Sequence, residues 1–193
     1  MIITVISGST RKDSQSRRVC DYLAGRLAHL GVETAVVDLH EKKLPLYDDA
    51  GEGAWKPVWE EVSGTLEKSD GFVFVSPEWD GMMSVGIHNL FHYADKEMAD
   101  KPVLPVGVSS GRGGRYPLQQ MRIMGYKNKR FVVIPESLFF DYVEKGLVDG
   151  ALTDARATER ADYALRVLME YARALASVRA SGTIDYAKFP SGW

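Results

Sequence analysis

Short runs of β-forming apolar residues alternate along this chain with longer stretches whose apolar residues recur at helical spacing. Four of the five runs are continuous in Val, Ile, Leu or Phe, which is typical of parallel strands covered on both faces. Strands that alternate with helices indicate a parallel sheet with helices on both sides. The pattern therefore predicts an α/β fold with a five-stranded sheet. The predicted strands are residues 2–6, 33–38, 71–76, 102–109 and 130–135.

Five helices are predicted between and after these strands. In the first, Val19, Leu23 and Leu27 fall on one face, and Gly31 is placed to end the helix. No repeat or linker-like change in composition divides the chain, so we expect one domain over residues 1–180 and a tail over residues 181–193. The predicted helices are residues 14–30, 55–68, 84–94, 115–124 and 153–178.

Composition and charge exclude several classes of protein. The 193 residues contain 24 Lys and Arg against 26 Asp and Glu, a formal net charge of −2, so neither a nucleic-acid nor a membrane partner is expected. The N-terminus does not have the pattern of a secretory signal, and no stretch reaches the roughly 18 to 20 apolar residues of a spanning helix. The single cysteine, Cys20, is interpreted as a small core residue of a cytoplasmic protein.

The segment after the first predicted strand is rich in hydroxyl groups and cations, and it leads into a helix. Unpaired N–H groups and the dipole of a helix N-terminus favour an anion, and serine hydroxyls with the planar fork of Arg11 can bind phosphate oxygens. Neither a dinucleotide fingerprint nor a P-loop is present. The segment favours a phosphate site; the simpler alternative is that Ser14 or Ser16 only caps the helix. Its cations are Arg11, Lys12, Arg17 and Arg18.

Two further loops follow the third and fourth predicted strands. Trp79 could form a flat apolar wall for an aromatic ring, although a tryptophan that covers the sheet edge is an equally good interpretation. The serines and glycines of residues 109–114 allow the backbone to approach a planar ligand, with Arg112 or Arg115 near the mouth of the site. The sequence therefore predicts a ligand site built from three loops at one edge of the sheet.

Motifs in these loops resemble those of one known family. Gly8-Ser9-Thr10-Arg11 with Ser14 and Ser16 is similar to its Gly-Ser-x-Arg-x-x-Ser loop, and Pro77-Glu78-Trp79 to its Pro-Glu-Tyr-Asn segment. Gly86 and Asn89 match a following Pro-Gly-x-x-Lys-Asn, while residues 44–48 and Ser110-Gly111 with Gly113-Gly114 resemble two further segments. Over about residues 2–135, the chain resembles the NADPH-dependent FMN reductases, which are flavodoxin-like proteins.

The resemblance implies a cofactor and a set of binding residues. It implies a doubly wound sheet in the order 2-1-3-4-5, FMN as the cofactor and NADPH or NADH as the co-substrate. Ser9, Arg11, Ser14 and Ser16 would hold the FMN phosphate, and the loops after the third and fourth strands would lie beside the ring. The implied site residues are Ser9, Arg11, Ser14, Ser16, Pro77, Glu78, Trp79, Asp80, Ser109, Ser110 and Gly111.

The implied function is an FMN-dependent NAD(P)H oxidoreductase that works in ping-pong order. Hydride passes from NAD(P)H to bound FMN, and a second acceptor, such as a free flavin, a quinone, an azo compound or a metal ion, then takes the electrons. No catalytic side chain is needed, because the flavin carries the chemistry. The resemblance also implies a dimer or tetramer that associates through the helix near residues 84–94. The alternative function is a non-catalytic flavodoxin-like binding module that has lost the flavin.

Several positions depart from the family pattern. Asp80 stands where the family has Asn, and its charge would repel a reduced flavin that it faced. Val85, His88 and the pair His92-Tyr93 replace Pro, Lys and Asp-Trp. His88 and His92 have the spacing of two helical metal ligands, but no third ligand is evident, so we expect no metal and favour an interface role.

Overall fold

Nine β-strands are present in residues 1–48, 53 and 55–191, the part of the chain that the computed structural model describes. Seven of them form one sheet, and the last two form a separate antiparallel hairpin. The strands are β1 (Ile2–Ser7), β2 (Glu33–Asp38), β3 (Gly71–Trp79), β4 (Met82–Met83), β5 (Pro102–Val108), β6 (Val132–Val133), β7 (Leu138–Phe140), β8 (Leu147–Val148) and β9 (Ala151–Leu152).

The main sheet has the order β2-β1-β3-β5-β6, and each neighbouring pair is parallel. The predicted order 2-1-3-4-5 is confirmed, because β5 and β6 are the predicted fourth and fifth strands. The short β4 pairs antiparallel with the end of β3. Since the long strands run in one direction, the carboxyl ends of β1, β3 and β5 meet at one edge of the sheet.

The predicted fifth strand is wrong in its extent. It is broken into β6 and β7, which lie one after the other along β5. Between the pairs Val103–Val133 and Val106–Leu138, β5 advances three residues while the edge chain advances five. The two extra residues interrupt the ladder next to Pro135, which has no N–H to donate to it.

The five predicted helices are all present, with ends within two residues of the predicted ones. Ser14, Ser84 and Asp154 cap three of them and lie just outside the helices themselves. Two one-turn helices and the β8–β9 hairpin were not predicted. The helices are α1 (Gln15–His29), α2 (Leu39–Lys42), α3 (Lys56–Lys68), α4 (Val85–Tyr93), α5 (Tyr116–Ile123), α6 (Val143–Gly146) and α7 (Ala155–Ala180), with a 3-10 turn at Lys96–Met98.

Each face of the sheet has its own apolar layer. On one face, α1 and α7 pack on side chains such as Val5 and Val73, and the fully buried Cys20 belongs to this layer. Burial raises the pKa of the Cys20 thiol well above its usual range, so this sulfur stays protonated. On the other face, α3, α4 and α5 cover Ile6 and Phe74. The sheet is therefore doubly wound, as predicted.

Ion pairs and hydrogen bonds hold the C-terminal segments on this frame. Arg26 of α1 forms two hydrogen bonds to Asp162 of α7, at 2.8 and 2.6 Å, and these bonds hold the pKa of the Asp162 carboxyl below its usual range. In the tail, Tyr186 donates a hydrogen bond to Asp100 at 2.8 Å, and Arg130 lies over the Tyr186 ring.

Among the described residues, none of the helices combines the length and the hydropathy that a membrane-spanning segment needs.

Candidate functional site

A cleft of about 480 Å³ lies at the carboxyl edge of the sheet, between the segments that follow β1, β3 and β5. It brings together most of the residues that the sequence predicted for a site. Two of them, Asp80 and Gly111, do not line it. The predicted residues in the lining are Ser9, Arg11, Ser14, Ser16, Pro77, Glu78, Trp79, Ser109 and Ser110.

The loop after β1 is fixed tightly against α4. The N–H of Gly8 donates to the carbonyl of Val75 at 2.8 Å, and the hydroxyl of Ser84 donates to the carbonyl of Gly8 at 2.7 Å. At Gly86, a Cβ atom would lie 2.7 Å from that same carbonyl oxygen. Glycine at position 86 therefore allows α4 to approach the loop, which gives a physical reason for its match to the family pattern.

The N-terminus of α1 presents hydrogen-bond donors to the cleft. Ser14 caps the helix, because its Oγ accepts from the N–H of Arg17 at 3.1 Å. The capping interpretation of Ser14 is therefore correct, yet its hydroxyl proton remains available to a ligand. The N–H groups of Gln15 and Ser16 have no acceptor within the helix, as at any helix start. Ser9 and Ser16 are both nearly fully buried beside them. The arrangement suits an anion.

Only two of the four predicted cations face the cleft. Arg17 is bound by three carboxylates, those of Asp21, Asp38 and Glu41, at 2.8 to 3.2 Å, and the hydrogen bonds to the first two raise its pKa further. Arg18 donates to the side chain of Gln15 and to the carbonyl of Leu147, both at 2.7 Å. These contacts make Arg17 and Arg18 part of the scaffold.

Arg11 and Lys12, in contrast, both line the cleft. Neither side chain forms an ion pair with any residue in the described part of the chain. Arg11 instead lies over the ring of Trp79, with its Cζ 4.8 Å from the ring centroid. The cleft therefore contains two cations that are available to an anionic ligand.

The Trp79 side of the cleft belongs to a hairpin and not to a loop. Strand β3 continues three residues past its predicted end, and Trp79 pairs with Met82 across a two-residue turn. Both turn residues, Asp80 and Gly81, have positive φ, at 51° and 71°. This conformation is favoured by Asp-Gly and Asn-Gly alike, so the replacement of the family's Asn by Asp80 is compatible with the turn. Asp80 is exposed and lies outside the cleft lining.

Glu78 connects the cleft lining to the start of α5. Its Oε2 accepts a hydrogen bond from the N–H of Tyr116 at 3.3 Å, so the carboxylate caps α5, which has no side-chain cap of its own. The two arginines predicted near the mouth do not line the cleft. Arg115 lies over Phe139 at 4.2 Å and donates to the carbonyl of Gly113 at 3.1 Å. The cations of the cleft thus come from the β1 loop alone, and its lining also contains the carboxylates of Asp13, Glu78 and Glu144.

The loop after β5 folds back over its own strand. A Cβ atom at Gly107 would lie only 1.6 Å from the carbonyl oxygen of Gly114, so the close approach of these two segments requires glycine. The N–H of Ser109 donates to the carbonyl of Phe140, and the N–H of Tyr142 donates to that of Gly111, both at 3.0 Å. Residues 109–111 are therefore held rigidly beside the cleft.

Sequence reasoning missed some residues of the lining. Glu144 is brought to the cleft by α6, where the N–H of Val143 donates to the carbonyl of Ser109 at 3.2 Å. No local signal could have identified Glu144, because it lies far along the chain from the three loops. Proximity to Ser14 and Ser16 could have identified Asp13 and Gln15, and proximity to Ser109 could have identified Val108. Lys12 was predicted as a cation of the loop but not as a site residue. The additional lining residues are Lys12, Asp13, Gln15, Val108 and Glu144.

Asn89 and the two histidines act outside the cleft. The side chain of Asn89 accepts from the N–H of Tyr47 at 2.8 Å and donates to the carbonyl of Pro45 at 2.7 Å, so it anchors residues 44–47 on α4. His92 stacks on Tyr47 with ring centroids 5.6 Å apart. Burial, with a smaller contribution from His92, lowers the pKa of His88. The described residues contain no group of three or more His, Cys, Asp or Glu side chains arranged to hold a metal ion.

Comparison with known proteins identifies the family. The family model described as NADPH-dependent FMN reductase matches residues 1–145. The chain belongs to this family. Its members are NAD(P)H-dependent oxidoreductases with FMN as cofactor, so the resemblance, the enzyme class and the cofactors predicted from the sequence are confirmed at the level of the family.

Individual relatives are similar over most of the chain. The NAD(P)H:quinone oxidoreductase of Solanum tuberosum is 28% identical over 181 residues, which are 89% of this chain and 90% of that protein. The NADPH azoreductase of Bacillus sp. is 29% identical over 63% of this chain and 66% of its own. A further match is the solved structure of FerB, a flavoenzyme NAD(P)H:(acceptor) oxidoreductase from Paracoccus denitrificans. The match covers 89% of this chain and 97% of the FerB chain, with a TM-score of 0.69 and 21% sequence identity. This last likeness supports the flavodoxin-like fold.

A Gly107→Ala substitution is expected to destabilise the protein and disorder the cleft. The added methyl group cannot fit against the carbonyl of Gly114, and such overpacking costs about 1–3 kcal/mol or more. The free energy of unfolding, measured with urea, should fall by at least about 1 kcal/mol. Gly111→Ala is the matched control, since a Cβ there meets nothing within 4 Å, and its stability should stay within about 0.5 kcal/mol of wild type. Equal losses for both variants would contradict the close packing of these segments.

Proposed function

We propose that this chain binds FMN in the cleft at the carboxyl edge of the sheet and transfers electrons from NAD(P)H to a small second acceptor. The observation that carries the proposal is the composition of one continuous cleft. Its lining contains the donor-rich start of α1, with Arg11 over the ring of Trp79, and it also contains Pro77 and Glu78 of β3 and the rigidly held Ser109 and Ser110. A phosphate and a flat ring joined by a short chain fit such a pair of environments.

The residues present fit a phosphate monoester well. The hydroxyls of Ser9, Ser14 and Ser16 and the amides at the start of α1 provide donors, while Arg11 and Lys12 provide charge. Backbone donors and the helix dipole need no reorganisation when the anion arrives. We infer that these groups hold the FMN phosphate, with Arg11 as the planar cation.

The ring would lie beside residues 109–111 and beside Pro77 and Glu78 of β3. The chemistry that FMN supplies in such a site is two-electron transfer in ping-pong order, first as hydride from NAD(P)H and then to a second acceptor. The protein's own groups would orient the cofactor in the cleft. No nucleophilic side chain is required, and the thiol of Cys20 is buried away from the cleft.

The names of the relatives favour quinones and azo compounds as second acceptors, since relatives that match this chain are named quinone oxidoreductase and azoreductase. Free flavins and oxidised metal ions remain further acceptors to assay. A cytoplasmic location, for which a single buried cysteine is suitable, stays a prediction.

The visible spectrum of the purified protein tests the proposed function. We expect flavin absorbance, either as purified or after addition of FMN and gel filtration, and we expect NADPH to bleach it under anaerobic conditions. Addition of a quinone should then restore the colour, and double-reciprocal rate plots should be parallel. A protein that takes up no FMN would contradict the proposal and would support the alternative, a non-catalytic binding module that has lost the flavin. One that binds FMN but is not bleached by NADPH or NADH would contradict the proposed electron transfer.

We also propose that the chain forms a dimer or tetramer through the face of α4. The outward side of α4 and the segment packed on it expose large apolar side chains, with Leu46 at 76%, Val85 at 51% and Tyr47 at 45%. Hydrophobic residues in one patch favour a protein interface. A cavity of about 320 Å³ between residues 46–47 and α4, lined also by His88 and His92, could receive side chains of a second copy.

A charge on this face should prevent association. In Val85→Glu, the buried carboxylate would have no partner in the interface, so the variant should be a monomer of about the 21.5 kDa chain mass. Light scattering after size-exclusion chromatography measures the mass directly. Val178→Glu on α7, where valine is 43% exposed, is the control and should keep the wild-type mass. A wild-type protein that is monomeric at every concentration, or a Val85→Glu variant that still associates, would contradict the proposed interface.

A further inference from the structure

The contact between Arg11 and Trp79 assigns a role to the tryptophan that differs from a wall for the ring. The guanidinium carbon of Arg11 lies 4.8 Å from the centroid of the Trp79 ring, within the roughly 6 Å range of a cation–π interaction. Both residues line the cleft. The guanidinium occupies one face of the indole, so this face is not open to a flavin ring in the same arrangement.

Among the described residues, no hydrogen bond or ion pair fixes the position of the Arg11 side chain. Its backbone N–H donates to Ser9 Oγ at 3.2 Å, but its guanidinium makes no ion pair with a described residue, unlike that of Arg17. A long side chain that is free in solution loses rotamer freedom when a ligand orders it. A ring that already holds the guanidinium over the cleft lowers this loss.

Trp79, in turn, is fixed by the sheet. It belongs to β3 and pairs with Met82 across the Asp80–Gly81 turn, and two residues earlier Pro77 pairs with Val108 of β5. The indole therefore stands on a strand that is paired on both sides. Lys12, the other cation in the cleft, has no aromatic ring beneath it among the described contacts.

We propose that Trp79 is a positioning residue for Arg11: the indole holds the guanidinium where it meets the phosphate of FMN, and Trp79 thereby sets the preference for FMN over riboflavin. The inference rests on the proposed function, because it concerns the same cleft. It deepens that function by linking the hairpin after β3 to recognition of the phosphate group.

Riboflavin is the decisive probe, since it has the same ring and ribityl chain as FMN but no phosphate. A tryptophan that only walls the ring contributes equally to both flavins. A tryptophan that positions Arg11 contributes to FMN alone. Dissociation constants for both flavins, measured by quenching of flavin fluorescence, separate the two roles without any assay of activity.

Trp79→Leu is expected to weaken FMN binding about five- to tenfold, the range of a partly desolvated cation–π contact, and to leave riboflavin binding within about twofold. Arg11→Ala should also weaken FMN binding selectively. The double variant should bind FMN about as weakly as Arg11→Ala alone, because the indole acts through the guanidinium. Trp79→Phe keeps an aromatic face and should recover most of the FMN affinity.

The matched control is the pair Arg115 and Phe139, which has the same kind of contact at 4.2 Å outside the cleft. Phe139→Leu should leave the ratio of FMN to riboflavin affinity unchanged. Circular dichroism checks that each variant is folded. If Trp79→Leu does not fold, the FMN and riboflavin affinities of Trp79→Phe test the inference.

Three outcomes would overturn the inference. The first is an equal loss of FMN and riboflavin affinity in Trp79→Leu. The second is a double variant whose loss of FMN affinity is the product of the two single losses. The third is a folded Trp79→Phe variant that binds FMN no better than Arg11→Ala does. A failure of the proposed function is distinct from these, because the wild-type protein itself would then bind neither flavin.

Discussion

The parallel pairing of β3 with both β1 and β5 is the constraint on which the candidate site depends. It brings three chain segments, separated by tens of residues in sequence, to one edge of the sheet. Close backbone contacts then fix these segments: α4 meets the β1 loop at Gly86, and the loop after β5 meets its own strand at Gly107. The cleft is thus formed by backbone geometry, and its side chains are displayed on a rigid frame.

The distribution of charge is the second determinant of the site. The net charge of −2 indicates little about ligands. In the sequence, the four cations of the β1 loop and the start of α1 indicate a basic segment. Two of these cations bind other parts of the protein: Arg17 binds the carboxylates around it, and Arg18 donates to the carbonyl of Leu147. What remains is Arg11 and Lys12 beside the N-terminus of α1, and the lining also contains the carboxylates of Asp13, Glu78 and Glu144. The cleft as a whole is therefore not basic, and binding of an anion depends on the local arrangement of Arg11, Lys12 and the first amides of α1.

Much of the fold and part of the site could be predicted from the sequence, for reasons that differ between residues. Continuous apolar runs predicted the strands, and the order of the motifs predicted the family. The β1 loop was predictable because Ser9, Arg11 and Ser14 are near one another in the chain. The break in the fifth strand, the partners of Arg18 and the position of Glu144 depend on contacts between distant segments, which no local pattern encodes. The replacement of the family's Asn by Asp80 raised the question of whether this charge would face a flavin. The turn accommodates Asp, and Asp80 is exposed and lies outside the cleft lining.

The most direct test of the proposed site is a crystal structure of the protein loaded with FMN. We expect phosphate oxygens within hydrogen-bond distance of the hydroxyls of Ser9 and Ser16 and of the first amides of α1, with the guanidinium of Arg11 on the phosphate. The ring should lie beside residues 109–111. A phosphate bound elsewhere, for example at the arginines of the loop after β5, would contradict it.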